Sequence, residues 1–227
     1  MVSSRRIGLI GGLSWESTAS YYRYFHEFSI GGDNEWSAPN VLIDSIDFGL
    51  IVPLQREGDW NATGVLLADS ARRLERAGAT VLGIGANSMH INFEQVVQAV
   101  QIPVVDVRVA VANEALARSH KTIALLGTKY LLEGSFYSDR LAELGLSSLK
   151  PTASQIDRLQ EIIFQELTKG AVTSASREYL RDVALSLLDR GADVVGLCCT
   201  EFGMLMREDE AFAVIDSTKA HVRALLV

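Results

Sequence analysis

Arg190–Met204, RGADVVGLCCTEFGM, is the stretch on which the reading of this chain turns. It predicts the end of a helix, a buried strand, and a turn carrying both cysteines of the chain. Val194–Leu197 is short, apolar and valine-rich, the composition of a strand covered on both faces of a parallel sheet. Cys198, Cys199, Thr200 and Glu201 follow where that strand ends. Ligands of open α/β sheets bind at the carboxyl ends of strands. A thiol at that place serves either chemistry or packing.

A second, edited copy of the stretch lies half a chain earlier. Ala77–Ser88, AGATVLGIGANS, aligns without a gap on Arg190–Glu201. Gly83 falls on Gly196, and Gly85-Ala86-Asn87-Ser88 falls on Cys198-Cys199-Thr200-Glu201. Two further blocks repeat in the same order: Ile7–Gly11 with Ile123–Gly127, and Pro103–Asp106 with Ala213–Asp216. Three ordered blocks argue for two related halves. Under that reading Cys199 faces Ala86 across a pseudo-twofold. The competing explanation is that buried α/β strands resemble one another in composition.

Bulk properties narrow the classes. The chain of 227 residues holds one large domain or two small ones, with 48% hydrophobic and 22% charged residues, as in soluble globular proteins. A net charge of −7 without a basic block excludes a nucleic-acid surface. No apolar run approaches a membrane span, so no membrane partner is expected. Met1–Arg6 leads into a core strand, and Ile7–Leu13 is too glycine-broken for a signal peptide. The two cysteines are sequence neighbours, with Cα atoms about 3.8 Å apart, below the usual disulfide span. A vicinal disulfide is the rare alternative; reduced thiols and a cytoplasmic setting are expected. The cysteine pair without a second ligand cluster makes a poor zinc site, and no metal is expected.

Strands and helices alternate along the chain, which predicts a parallel-sheet α/β fold. Strands are expected at Ile7–Ile10, Val41–Asp47, Val81–Ile84, Pro103–Asp106, Thr122–Leu126, Val194–Leu197 and Ala213–Asp216. Gly11 and Gly12 permit a tight turn whose following helix amides suit an anion. The spacing fits neither a dinucleotide fingerprint nor a P-loop. Phe48–Trp60 shows no clear period and reads as a loop, either a lid or a plain crossover. Ala62–Ala77 is an amphipathic helix ended by Gly78, and the turn Gly127-Thr128-Lys129-Tyr130 leads into one helix that runs to Leu144 and is ended by Gly145. Asn87 and Ser88 serve either to bind a carboxylate or to cap the next helix. His90 reads as a packing histidine.

Taken together, Gly11-Gly12-Leu13-Ser14-Trp15-Glu16-Ser17-Thr18, Asn87-Ser88-Met89-His90 and Cys199-Thr200-Glu201 resemble the cofactor-independent aspartate/glutamate racemase family. The likeness is greatest to the branch with a GGMSWEST-type opening and extends over essentially the whole chain. The resemblance implies two pseudo-symmetric α/β domains, residues 1–105 plus 210–227 and residues 106–209, with the active site in the cleft between them. It implies a homodimer, a small acidic amino acid as substrate, and no pyridoxal phosphate or metal. Family members use two acid–base residues on opposite sides of the substrate Cα. Cys199 matches one. Ala86 occupies the position of the other, and alanine has no proton to give or take. Asn87, Ser88 and Thr200 match residues that hold the α-carboxylate, and Ser14, Gln55 and Thr128 match further substrate contacts.

The chemistry of these residues points the same way. A helix N-terminus beside Cys199 would lower its thiol below the ordinary value near 8.5, and a thiolate can remove a proton from carbon. Arg56, Lys129 and Lys169 are the cations expected to meet a dicarboxylate. Two other readings stay open: a one-cysteine decarboxylase or cis–trans isomerase of small dicarboxylates, and a non-catalytic amino-acid-binding protein.

Overall fold

The computed structural model describes residues 5–29, 38–207 and 211–227. Its contacts divide the chain into two compact units, Met1–Asp106 with His221–Val227, and Val107–Ala220.

The first unit is built on a parallel sheet of order β2-β1-β3-β4, from β1 (Arg6–Gly11), β2 (Asn40–Ser45), β3 (Val81–Ile84) and β4 (Val104–Val105). Every residue of β3 is buried, as its uniformly apolar sequence requires. Helices α1 (Trp15–Glu27), α2 (Phe48–Glu57), α3 (Trp60–Arg76) and α4 (Phe93–Ala99) belong to this unit. Leu67, Ala71 and Leu74 of α3 pack with Leu82 and Ile84 of β3. Tyr21 and Phe25 of α1 pack with Ile7, Leu9, Val222 and Leu225. Each fully buried leucine or isoleucine contributes about 1.5–3 kcal/mol relative to exposure.

The second unit repeats the plan, with a parallel sheet of order β6-β5-β7-β8. Its strands are β5 (Thr122–Gly127), β6 (Ser147–Leu149), β7 (Val194–Cys198) and β8 (Val214–Asp216). Its helices are α5 (Val107–Ala117), α6 (Lys129–Glu133), α7 (Phe136–Glu143), α8 (Ala153–Gln165), α9 (Ser174–Asp189) and the start of α10 (Ser217–Leu226). Leu159 and Ile162 of α8 and Leu180, Val183 and Leu187 of α9 pack with Ala124, Leu126 and Val195.

The repeat extends to strand register. Ile7 pairs with Val81 in one sheet, and the aligned Ile123 pairs with Val194 in the other. Leu82 pairs with Val104, as Val195 pairs with Val214. Composition alone would not align hydrogen-bond registers residue for residue, so the duplication lies in the backbone.

Several expectations change. Phe48–Glu57 is a helix, not a loop. Asp47 caps it by accepting from the Gly49 amide at 2.8 Å, and Gly58 ends it in the left-handed region at φ +73°. It buries only Ile51 and Gln55 and contains Pro53, so no apolar period shows. Asp47 is therefore a cap rather than the end of β2. The single helix expected after a Gly127–Tyr130 turn starts already at Lys129 and is broken at Gly134 and Ser135. The short strand β6 carries no sequence signal of its own.

The unit boundary also moves. The expected change at 209/210 lies outside the described residues, and the observed one falls at 220/221. Val214–Asp216 pairs with Val195–Leu197, which ties β8 to the second sheet. The chain leaves that unit only inside α10. There His221, Val222 and Leu225 fill the core of the first unit. Gly83 makes room: a Cβ on it would sit 2.7 Å from Leu225 Cδ1 and 3.2 Å from His221 Cε1.

Candidate active site

In the second unit, β5 and β7 are ladder neighbours as far as Gly127 and Cys198. One step further lie Thr128 and Cys199, with Thr200 next, so three of the expected site residues lie at one sheet end. Thr128 is the N-cap of α6, its hydroxyl accepting from the Leu131 amide at 3.4 Å. Cys199 is buried, and the chain turns directly after it into a single 3-10 turn, Thr200–Met204.

The thiol does not titrate as expected. Its Sγ donates to Glu201 Oε2 at 3.1 Å. Burial, followed by the charge and hydrogen bonding of the Glu201 carboxylate, raises Cys199 well above its ordinary value. Desolvation and a neighbouring anion both disfavour a thiolate, and one 3-10 turn has too short a dipole to oppose them. Cys199 is therefore a protonated thiol at neutral pH. Its neighbour Cys198 is likewise raised by burial, to about 12. Both cysteines are free.

Glu201 was no sequence candidate for the site, yet it organises this end of the sheet. It is buried, and Oε2 also accepts from Thr200 Oγ1 at 2.7 Å. The Thr200 hydroxyl is thus directed at Glu201. The available signal was spacing: two residues past a strand-tip cysteine, a buried turn brings a carboxylate back onto the sulfur.

In the first unit the ends of β1 and β3 are neighbours, and the Gly85 amide donates to the Ile10 carbonyl at 2.9 Å. Ser14, Ala86, Asn87 and Ser88 lie just beyond, all buried. Gly12 turns the chain at φ +74°, where a Cβ would collide with the Ile46 carbonyl oxygen. Ser14 caps α1, accepting from the Ser17 amide at 3.1 Å and donating to Ser17 Oγ at 2.9 Å. Gln55, on the inner side of α2, is buried with Oε1 lacking a hydrogen-bond partner. A buried acceptor without a donor costs about 1–3 kcal/mol, which marks Gln55 as a group that a ligand can satisfy.

Ala86 presents only a methyl group at the position aligned with Cys199. Its carbonyl accepts from His90 Nδ1 at 3.0 Å. The expected cations are unequal. Lys129 is bound to Asp157 at 2.7 Å and to Glu133 at 3.5 Å, so its charge is already balanced. Lys169 is exposed and donates to Gln165 Oε1 at 3.2 Å. Arg56 is exposed as well. Among the described residues no helix is long and apolar enough to cross a membrane.

The chain thus combines two parallel α/β sheets of matched register with a buried thiol–carboxylate pair at one strand tip. The family model for Asp/Glu/hydantoin racemases matches residues 10–225. A crystallised protein from Yersinia pestis is 32% identical, with a TM-score of 0.87 over 97% of each chain. An aspartate racemase homologue from Pyrococcus horikoshii OT3 is 33% identical, with a TM-score of 0.84 over 98% of this chain and 97% of the other. The broad specificity amino-acid racemase RacX of Bacillus subtilis (strain 168) is 20% identical over 93% of this chain and 92% of its own. The chain belongs to the Asp/Glu/hydantoin racemase family. It is an amino-acid racemase of a class that needs no pyridoxal phosphate.

Proposed function

We propose that this protein acts on an acidic amino acid, aspartate or glutamate, and that Cys199 carries the proton to and from the substrate Cα. The observation that supports this most is the Cys199 Sγ–Glu201 Oε2 hydrogen bond of 3.1 Å. A raised thiol is a poor base alone, but a carboxylate already accepting its proton makes a two-step relay. As the Cα proton moves to sulfur, the thiol proton moves to Glu201. The electron pair left on carbon spreads into the α-carboxylate, where the Asn87 and Ser88 groups and neighbouring amides stabilise it. Gln55, with its unsatisfied Oε1, is the natural partner for the substrate ammonium group.

Inversion needs a second proton donor on the opposite face, and Ala86 supplies none. The thiol face then exchanges fast and the opposite face is protonated slowly, with solvent as the donor. Arg56 and Lys169, whose charges are not balanced by the ion pairs that hold Lys129, are the cations proposed for the side-chain carboxylate. Two neighbouring free thiols suit a reducing compartment, which supports the cytoplasmic expectation. The protein is proposed to act as a homodimer, which light scattering tests.

The test is incubation with each enantiomer of aspartate and glutamate in D₂O, with Cα deuteration followed by NMR and inversion by optical rotation. Deuterium entering one enantiomer faster than it inverts is expected. Absence of exchange with all four compounds would overturn the substrate class and the role of Cys199.

A further inference from the structure

Beneath the tip of β3 lies a buried polar column that the reaction scheme does not use. It starts at the Ala86 carbonyl, one residue past Gly85, whose amide donates to Ile10 at the end of the β1–β3 ladder. A carbonyl only accepts, so His90 Nδ1 carries the hydrogen in the 3.0 Å contact with it. The His90 ring is stacked on Phe93, with centroids 5.8 Å apart and planes 11° apart. His221 lies edge-on to it, with centroids 5.8 Å apart.

His221 is fixed by the same logic. The Val105 carbonyl, 3.0 Å from Nε2, requires Nε2–H. Burial keeps the ring neutral, its pKa lowered to about 3. Nδ1 is then bare and accepts from the Tyr21 hydroxyl at 2.8 Å. Four segments thus meet behind one peptide group: α1 through Tyr21, β4 through Val105, the turn after β3 through His90, and α10 through His221. Both histidines are at most 1% exposed, so their hydrogen bonds are not exchanged for water.

We propose that His90, locked from behind by His221 and Tyr21, is a positioning residue that sets the orientation of the peptide joining Ala86 and Asn87. A trans peptide is planar, with its C=O and N–H pointing in opposite directions. Holding the carbonyl on the His90 side aims the Asn87 N–H the other way. The donated hydrogen bond also polarises that peptide, which strengthens its N–H as a donor. Asn87 and Ser88, assigned to the substrate carboxylate, inherit their placement from this clamp. A single alanine methyl at residue 86 cannot provide such anchoring itself. The inference rests on the racemase reading of this strand tip.

Two substitutions separate positioning from stability. His90→Phe keeps a ring against Phe93 but removes the Nδ1 donor. His90→Asn places an amide nitrogen near the former Nδ1. Cα exchange in D₂O is measured per folded molecule against substrate concentration, and unfolding midpoints are recorded separately. His90→Phe is expected to lose about tenfold or more in kcat/KM, and His90→Asn to recover to within about threefold of the parent. Both variants are expected to lose stability. Equal rates for His90→Phe and the parent, or no rescue by Asn, would overturn the inference. The parent protein gives a readout independent of activity: long-range ¹H–¹⁵N correlation should show His90 as the Nδ1–H tautomer and His221 as Nε2–H. An Nε2–H tautomer at His90 refutes the clamp even if catalysis is normal. A parent that exchanges no proton, with both tautomers as expected, refutes the racemase reading instead.

Discussion

Acidification should expose His221 as a stability determinant, and the structure sets the size of the effect. The folded protein holds this imidazole at about 3, against an ordinary 6.5, chiefly through burial and secondarily through repulsion from His90. The unfolded chain therefore binds a proton below about pH 6.5 that the native state refuses until about pH 3. Stability rises with pH wherever the unfolded state holds more protons. The contribution is complete above pH 6.5 and drains away as pH falls towards 3. With about 1.4 kcal/mol per pH unit, the loss from this group is about 2 kcal/mol at pH 5 and about 3 kcal/mol at pH 4. Over the whole window it approaches about 5 kcal/mol, a large part of a typical folding free energy.

Gln at position 221 removes the titration while leaving an amide nitrogen to reach the Val105 carbonyl. The assay is urea unfolding of the parent and His221→Gln at half-unit steps from pH 7.5 to 4. His221→Gln should be less stable at pH 7.5, and the gap should close by about 2–3 kcal/mol on reaching pH 4–5. Carboxylates common to both proteins cancel in the difference. A gap independent of pH would show that His221 titrates normally, and the buried neutral ring would be wrong.

Further outcomes test the site and its scaffold. Glu201→Gln removes the charged acceptor, which lowers the thiol towards its ordinary value and quickens alkylation by iodoacetamide. Cα exchange should fall about 10²–10⁴-fold, and a parallel rise in both rates would exclude the relay. Ala86→Cys supplies a proton on the second face and should raise the inversion-to-exchange ratio at least about tenfold, measured by circular dichroism against deuteration; an unchanged ratio would place residue 86 away from the substrate carbon. Gly12→Ala meets the Ile46 carbonyl as well as a φ of +74°, whereas Gly58→Ala at φ +73° meets no atom within 4 Å. The latter should cost about 1–2 kcal/mol and the former clearly more in thermal unfolding; equal costs would mean the Gly12 turn relaxes freely.

Much of the architecture was legible because it is written in local composition. The valine-rich run at Val194–Leu197 and its copy at Val81–Ile84 announce strands buried on both faces, and their alignment carried the duplication down to ladder register. The strand tips, with Ser14, Ala86, Asn87, Ser88, Thr128, Cys199 and Thr200, were legible because residues one to four steps past a buried parallel strand stay near the sheet end. Helix α2 was hidden because two buried positions and an internal proline leave no period to read. β6 was hidden because three residues with two serines have none either.

Tertiary structure alone decided the electrostatics and the column beneath β3. Sequence suggests a thiol activated by a helix start, but its state depends on how little water reaches it and on which way Glu201 turns, and both are properties of the folded turn. Tyr21, His90, Val105 and His221 are scattered along the chain, and no local pattern brings α10 back to the first sheet. Their hydrogen bonds exist only because the chain leaves the second unit inside that helix, after β8 has paired with β7. Sequence determined which side chains stand at the strand ends; the fold decided which protons they hold.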